Sequence, residues 1–291
     1  MLWPKNLKIK RKINLAQYTS FKIGGPAQFF LLAQSLKELQ VALLNAKKLK
    51  LKVRILGAGS NILVSDSGVK GLVIKLSGND FKFIYNKGTD LILGSALKLN
   101  QVIEFAKRKS LTGLEFLIGI PGTLGGALAG NAGAWGRSIG ELIKEVTVID
   151  YCGRLKILSK EQLKFAYRQS NLDKYIIISA KLKLQKAEQK RISAQIKQFL
   201  LKRSKSQSNR LPNAGCVFKN PVKTSAGRLI DGCGLKGTKM GAALVSDLHA
   251  NFILNSGRAK CSQVLSLMKL MQRKVKAKFK INLKPEIKIW R

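Results

Sequence analysis

The chain has 291 residues, of which 54 are Lys or Arg and 15 Asp or Glu, a formal net charge of +39, and 45% are hydrophobic. That length is enough to bury more than one core, and four scattered cysteines with a single histidine argue against a zinc module or a disulfide framework and for a reducing compartment. No apolar run reaches the roughly 18 residues of a membrane span, and the opening "MLWPKNLKIKRK" lacks the apolar core and cleavage site of a secretory signal, so a cytoplasmic location is expected.

Residues 35 to 50 open with Ser35 and Glu38 in capping-box spacing and carry Leu36, Leu39, Leu43 and Leu44 at helical intervals, which predicts a helix with those leucines inward. Residues 51 to 64, "LKVRILGAGSNILV", read as an apolar strand broken by a glycine turn and then resumed. A second helix is predicted over 98 to 113, with Leu99, Val102, Ile103 and Ala106 on one face and Gly113 just past its end. "EVTVIDYCGRLKIL" reads as a hairpin turning at Cys152 and Gly153. Ser159 and Gln162 repeat the capping-box spacing and predict a short helix ending near Tyr167. "KYIIISAKLKL" is a strand, and residues 188 to 205 a basic helix with Ile192, Ile196, Phe199 and Leu200 inside, running into the polar boundary "SKSQSNR". Beyond it come a short helix in "AGRLIDGCG", a strand "ANFILN", a long helix from about Lys260 to Lys276 and a last strand "PEIKIW". Alternating helix and strand signals of this kind predict an α+β fold.

The charge has two readings. Its lysines are spread over every segment, which suits a composition bias on solvated surface, whereas a field of this sign also attracts polyanions. No basic arm and no set of aromatics interleaved on a basic strand is present, so no specific nucleic acid is expected.

Three loops hold much of the glycine: "FKIGGPA" at 21 to 27, "LGAGSNILV" at 56 to 64 and "IGIPGTLGGALAGNAGAWG" at 118 to 136. Glycine lets backbone amides approach an anion closely, so such loops can cradle phosphates. Tight turns explain each loop separately; one long anionic cofactor explains all three together. A Rossmann turn is argued against by spacing, because the position after Gly57 and Gly59 that needs a third glycine is Ile62, and no GKS or GKT makes a Walker loop.

"TSFKIGGPA", "LGAGSNILVSDSGVKGLVIKL", "GLEFLIGIPGTLGGALAGNAGAWG", "FAYRQS", "NAGCVFKNP", "AGRLIDGCGLKG" and "LKPEIKI" stand in the order and spacing of the UDP-N-acetylenolpyruvoylglucosamine reductases, and the chain resembles the shorter, second type of that family from about Thr19 to Glu286. The resemblance implies a two-subdomain FAD-binding half of the vanillyl-alcohol oxidase type, residues 1–76 and 77–203, followed by a substrate domain at 204–291. It implies a monomeric enzyme without a membrane span that takes hydride from NADPH onto FAD and reduces UDP-N-acetylglucosamine enolpyruvate to UDP-N-acetylmuramate for peptidoglycan. The FAD contacts it implies are Gly24, Gly25, Gly57, Ala58, Gly59, Ser60, Asn61, Gly119, Pro121, Gly122, Thr123, Gly125, Gly126, Asn131, Gly133 and Ala134.

By position in the motifs, the resemblance makes Arg168 the arginine that faces the substrate carboxylate and Glu286 the catalytic glutamate; Tyr167, Lys219, Asn220 and Arg203 become substrate contacts. Cys216 stands where the family usually has serine, the proton donor to the reduced enolpyruvyl carbon. A thiol, with an ordinary pKa of about 8.5, still holds a proton to give at neutral pH, so the exchange suits the task. Cys152, Cys233, Cys261 and His249 are read as structural, and no metal is expected. Two other readings stand beside this one: an FAD-dependent oxidase of another sugar or alcohol, and a polyanion-binding protein on the same scaffold.

Overall fold

The computed structural model describes residues 3–4, 7–206 and 211–291. The chain divides into two compact units, one of Met1–Arg11, Phe29–Ala58 and Gly71–Arg203, the other of Lys12–Gln28, Gly59–Lys70 and Ser204–Arg291. Its α+β character is the one expected.

In the first unit helix α1, Leu36–Lys48, starts at Ser35, whose side chain accepts from the Glu38 N–H at 3.1 Å. The Glu38 carboxylate reaches one residue further back than a strict capping box, to the Gln34 N–H at 2.7 Å. Its buried face is Leu39, Ala42, Leu43 and Ala46; Leu44, expected inside, is exposed, and Leu36 is half-buried. The two alanines belong to one buried cluster with Leu31, Ala33, Leu72 and Ile74. A parallel pair joins Val53–Ile55 to Leu72–Ile74.

A second core lies between a five-stranded antiparallel sheet and helices α2, Leu99–Arg108, and α3, Leu124–Ala129. The sheet runs in the order Leu155–Ser159, Ile143–Ile149, Ile176–Lys183, Asp90–Gly94 and Ile84–Lys87. The predicted face of α2 is the buried one, but Ser110 with φ +56°, and not Gly113, takes the left-handed position after the helix. The hairpin around Cys152 and Gly153 forms as read, with Val146 opposite Leu158. The helix predicted to end near Tyr167 does not form. A single 3-10 turn, Lys160–Gln162, is followed by a tight hairpin, Phe165–Ala166 against Gln169–Ser170. Helix α4, Gln189–Ser206, buries Ile192 and half-buries Ile196 and Phe199, whereas Leu200 is exposed. Residues 207–210 of the predicted boundary lie outside the described residues.

The second unit is built on an antiparallel sheet in the order Asn213–Cys216, Phe252–Asn255, Ala243–Val245 and Lys239–Met240. Helices α5, Ala226–Asp231, and α6, Cys261–Phe279, pack their apolar faces into its core. Helix α6 begins at Lys260, whose side chain offers no acceptor; Asp66 supplies both carboxylate oxygens instead, to Cys261 N–H at 2.6 Å and Ser262 N–H at 3.0 Å. Burial, and then Asp66, pushes the Cys261 thiol up to about 11, so it stays a protonated apolar filler. Ile62–Val64, read as the resumption of the strand before it, pairs in this unit, parallel to Lys288–Trp290. Among the described residues no helix is long and apolar enough to cross a membrane.

Candidate functional site

In the second unit, strand Asn213–Cys216 pairs Asn213 with Leu254 and Cys216 with Phe252, so Ala214 and Gly215 together face one residue. This is a bulge, closed by the Gly215 N–H donating to Asn213 Oδ1 at 3.0 Å. A bulge bends its strand and re-aims the side chain that follows, which here is Cys216. Beyond it Val217 and Phe218 are fully buried and tie the loop to the core.

Asn251 holds that loop. Its Oδ1 accepts from the Phe218 N–H at 3.0 Å, its Nδ2 donates to the Phe218 carbonyl at 2.8 Å, and its own carbonyl accepts from the Val217 N–H at 2.9 Å. On the other side Lys219 N–H donates to Lys284 O, and Glu286 N–H to Val217 O, both at 2.9 Å, around the antiparallel bridge of Phe218 with Pro285. "NAGCVFKNP" and "LKPEIKI", some seventy residues apart in sequence, therefore run side by side, and Cys216 lies one residue from the direct partner of Glu286.

Asn61 joins the same place, its Nδ2 donating to the Glu286 carbonyl at 3.3 Å and its carbonyl accepting from the Lys288 N–H at 3.0 Å. Ser20 donates from its amide to Gly59 O at 3.1 Å and from its hydroxyl to Asn213 O at 2.6 Å. Asn220 Oδ1 accepts from the Ala226 N–H at 3.0 Å, so one oxygen of this expected substrate contact also starts α5. Gly24 and Gly25 sit against the 64–68 turn, with Gly25 donating to Ser65 O at 2.8 Å and accepting from Leu15 at 3.0 Å. Asn251 and Ser20 were not singled out from the sequence. The one available signal was a polar side chain inside the apolar run "HANFILN", since a buried amide needs partners.

His249 accepts the Asn251 N–H at Nδ1, 3.2 Å away, and its ring tilts against Phe252. Burial, and then the Lys236 ammonium, holds its pKa below the ordinary value. A depressed histidine contributes stability that is complete above the unfolded pKa, about 6.5, and is lost as pH falls through the lower folded value. Melting temperature is therefore expected to fall between pH 6.5 and 5.5 in the native chain and to fall less in His249→Gln; equal slopes in the two would count against this account.

In the first unit, the loop before α3 bridges Thr123 to Lys98, with Leu99 N–H donating to Gly122 O at 3.0 Å and Leu124 N–H to Leu97 O at 2.9 Å. Gly125 N–H donates to Ser95 O at 2.8 Å and Gly126 N–H to Thr123 Oγ1 at 3.4 Å, so the first turn of α3 is satisfied within the protein. Among the described residues the amides of Gly57, Ala58, Gly119, Gly122 and Thr123 find no backbone acceptor, and in the second unit the same holds for Gly59, Ser60 and Asn61. A Cβ on Gly57 would stand 2.7 Å from Thr123 Oγ1, so these two glycine loops touch. Ser95 Oγ is buried and has no partner among the described residues. Bare amides on glycine turns beside an orphaned hydroxyl fit the diphosphate of a dinucleotide such as FAD.

Arg168 occupies the tip of the Phe165–Ser170 hairpin with φ +54°, its guanidinium carbon 5.2 Å from the Tyr167 ring centroid. Asn131, buried, donates from Nδ2 to Ala166 O at 2.9 Å and accepts at Oδ1 from the Gly140 N–H at 3.0 Å. Its amide thus braces the turn that carries Tyr167 and Arg168. Gly133 and Ala134 pair with Ser138 and Arg137 in a two-residue hairpin whose tip is Trp135. The Trp135 ring stacks on Phe199 with centroids 4.4 Å apart, and the Arg203 guanidinium carbon lies 4.7 Å from the Trp135 ring centroid. Gly119, φ +76°, lets Arg203 pass: a Cβ there would meet its Cδ at 2.8 Å. Pro121 and Gly126 are exposed. Among the described residues no group of three or more His, Cys, Asp and Glu could hold a metal.

Residues 27–159 match the family model described as an FAD binding domain, which with the α+β fold and the amide turns defines the chain as a flavoprotein oxidoreductase. Residues 205–290 match the model of the UDP-N-acetylenolpyruvoylglucosamine reductase C-terminal domain. The chain is 38% identical over 284 residues to UDP-N-acetylenolpyruvoylglucosamine reductase of Clostridium novyi (strain NT), covering 97% of this chain and 92% of that protein. It is 40% identical over 285 residues to UDP-N-acetylenolpyruvoylglucosamine reductase 2 of Symbiobacterium thermophilum, at the same coverages of 97% and 92%. The crystal structure of the Thermus caldophilus reductase (MurB) is similar at a TM-score of 0.85 and 35% identity, over 98% of this chain and 100% of that one. The chain belongs to the UDP-N-acetylenolpyruvoylglucosamine reductase family. A glucose dehydrogenase, Phl p 4.0202, shares the fold over 64% of this chain and 42% of that one, at a TM-score of 0.50 and 15% identity.

Proposed function

We propose that this chain is a cytoplasmic, monomeric enzyme that uses NADPH to reduce UDP-N-acetylglucosamine enolpyruvate to UDP-N-acetylmuramate, a step of peptidoglycan precursor synthesis. The division into 1–76, 77–203 and 204–291 belongs to the same reading. When bound at the amide turns, FAD supplies the hydride, which it receives from NADPH.

The chain's own residues handle the carboxylate and the proton. Hydride addition to the terminal enolpyruvyl carbon leaves negative charge on the neighbouring carbon, delocalised into the carboxylate. Arg168 offers a planar cationic fork to that carboxylate, and Glu286 orients the group and its proton path. Cys216 gives its Sγ proton to the carbon that carries the charge, and the thiolate recovers a proton from water before the next turnover. Lys219 and Asn220 orient the sugar nucleotide, with Tyr167 and Arg203 as further contacts. The observation that supports this reading most is the bulge that places Cys216 beside the Glu286 segment.

The test is an anaerobic pair of half-reactions. NADPH is expected to bleach the flavin of the purified protein, and UDP-N-acetylglucosamine enolpyruvate to restore its oxidised spectrum without oxygen. Bleaching with no return would remove the substrate from this reading; failure to take up supplied FAD would overturn it entirely.

A further inference from the structure

The first unit holds a cation that no carboxylate explains. Lys75 lies at the end of strand Val69–Leu76, one residue beyond Ile74, whose carbonyl receives the Leu56 N–H at 2.8 Å. From there its ammonium donates to the Gly57 carbonyl at 2.5 Å, on the turn whose amides find no backbone acceptor among the described residues. The side chain is half-buried, and among the described residues no carboxylate oxygen comes within 4.0 Å of it. Burial first, then the like charges of Lys82 and Lys98, hold its pKa below the ordinary lysine value.

A part-desolvated ammonium facing a single neutral carbonyl and two further cations is unfavourable in the empty protein. Composition bias puts lysine on solvated surface and does not account for one turned inward against a glycine loop. Lys98 is also the residue bridged to Thr123, whose amide, like that of Gly122, finds no backbone acceptor among the described residues. Three residues before Lys98 stands Ser95, its hydroxyl buried and unpartnered among the described residues and its carbonyl fixed to Gly125. Cations, bare amides and an orphaned hydroxyl thus gather on the same pair of loops within one unit.

We propose that Lys75, with Lys98 beside Thr123, is the cationic side of the diphosphate site at the Gly57 turn, so that this chain holds its dinucleotide by charge as well as by backbone amides. The inference rests on the FAD reading above and adds residues to it. Lys75 plays two parts: its hydrogen bond sets the peptide after Gly57, and its charge offsets that of the diphosphate.

The experiment uses the full chain stripped of flavin, as native, Lys75→Met and Lys75→Arg proteins, titrated with FAD by fluorescence quenching over a range of salt and melted with and without FAD. Lys75→Met is expected to weaken FAD at least tenfold and to flatten the salt dependence, since a screened charge is lost. Its flavin-free melting temperature is expected to stay level or rise, because an uncompensated cation has gone, while the shift produced by FAD shrinks. Lys75→Arg is expected to keep the salt dependence. Native-like affinity and salt slope in Lys75→Met would overturn the proposal and leave the flavoprotein reading standing. A lowered flavin-free melting temperature, with affinity lost equally at every salt concentration, would assign Lys75 to folding alone and also overturn it. If the native chain binds no FAD, both fail together.

Discussion

Cys216→Ala is expected to lower turnover by about two to four orders of magnitude, the usual contribution of a positioned proton donor, with FAD content and flavin reduction by NADPH unchanged. Cys216→Ser is expected to stay within about tenfold of the native rate on the same scale. The pair separates chemistry from packing. Cys216 is half-buried at the end of a bulged strand and is followed by two fully buried residues, and Val217, Phe218 and Asn251 anchor the loop. Serine is close to cysteine in size and can deliver a proton; alanine fills nearly the same space and cannot. Measured as single turnovers after anaerobic reduction, the defect belongs wholly to reoxidation by the sugar nucleotide. An alanine variant that forms product at the native rate would remove Cys216 as the donor and shift the role to water or another group.

The second large effect concerns Arg168. Arg168→Gly is expected to cut turnover by about a hundredfold to a thousandfold, the cost typical of removing one donor to a developing oxyanion. Folding stability should hold or rise by up to about 1 kcal/mol, because a side chain at positive φ is strained and glycine is not. That opposition follows from the hairpin tip, where Arg168 has φ +54° and the braces are Asn131 and Ser170, which reach Ala166 O and Ala129 O respectively. A residue kept for structure would show the reverse, with stability falling and activity following it. Arg168→Lys keeps the charge without the planar fork and is expected to fall between the two. Thermal melts beside steady-state kinetics decide the matter: unchanged turnover in the glycine variant would exclude Arg168 from the reaction.

Much of the local structure was legible in the sequence because it depends on neighbours within a few positions. The capped start of α1, the inner face of α2 and the hairpin at Gly153 all follow from spacing that a single segment contains. Errors came where burial chooses between similar faces. Leu44 and Leu200 repeat at helical intervals yet stay exposed, while Ala42 and Ala46 take the buried face of α1. The helix expected to end near Tyr167 failed for a related reason: the capping contact from Gln162 to the Ser159 N–H forms, but one 3-10 turn satisfies it, and the chain then gains a pair of strand hydrogen bonds at the hairpin.

The candidate site divides in the same way. Sequence alone determined which residue types are present: glycines for bare amides, a thiol, a guanidinium and a carboxylate, in an order that matches one family of reductases. Only the tertiary structure decided that Ile62–Val64 leaves the strand before it to pair with Lys288–Trp290, that Glu286 hangs on the backbone of Val217, that Asp66 caps α6, and that Lys75 turns inward to Gly57. Each of these is a hydrogen bond between segments far apart in the chain. Periodicity and capping signals describe a residue's neighbours along a helix or strand, whereas such bonds depend on which backbone groups remain unpaired once every element has buried its own apolar face.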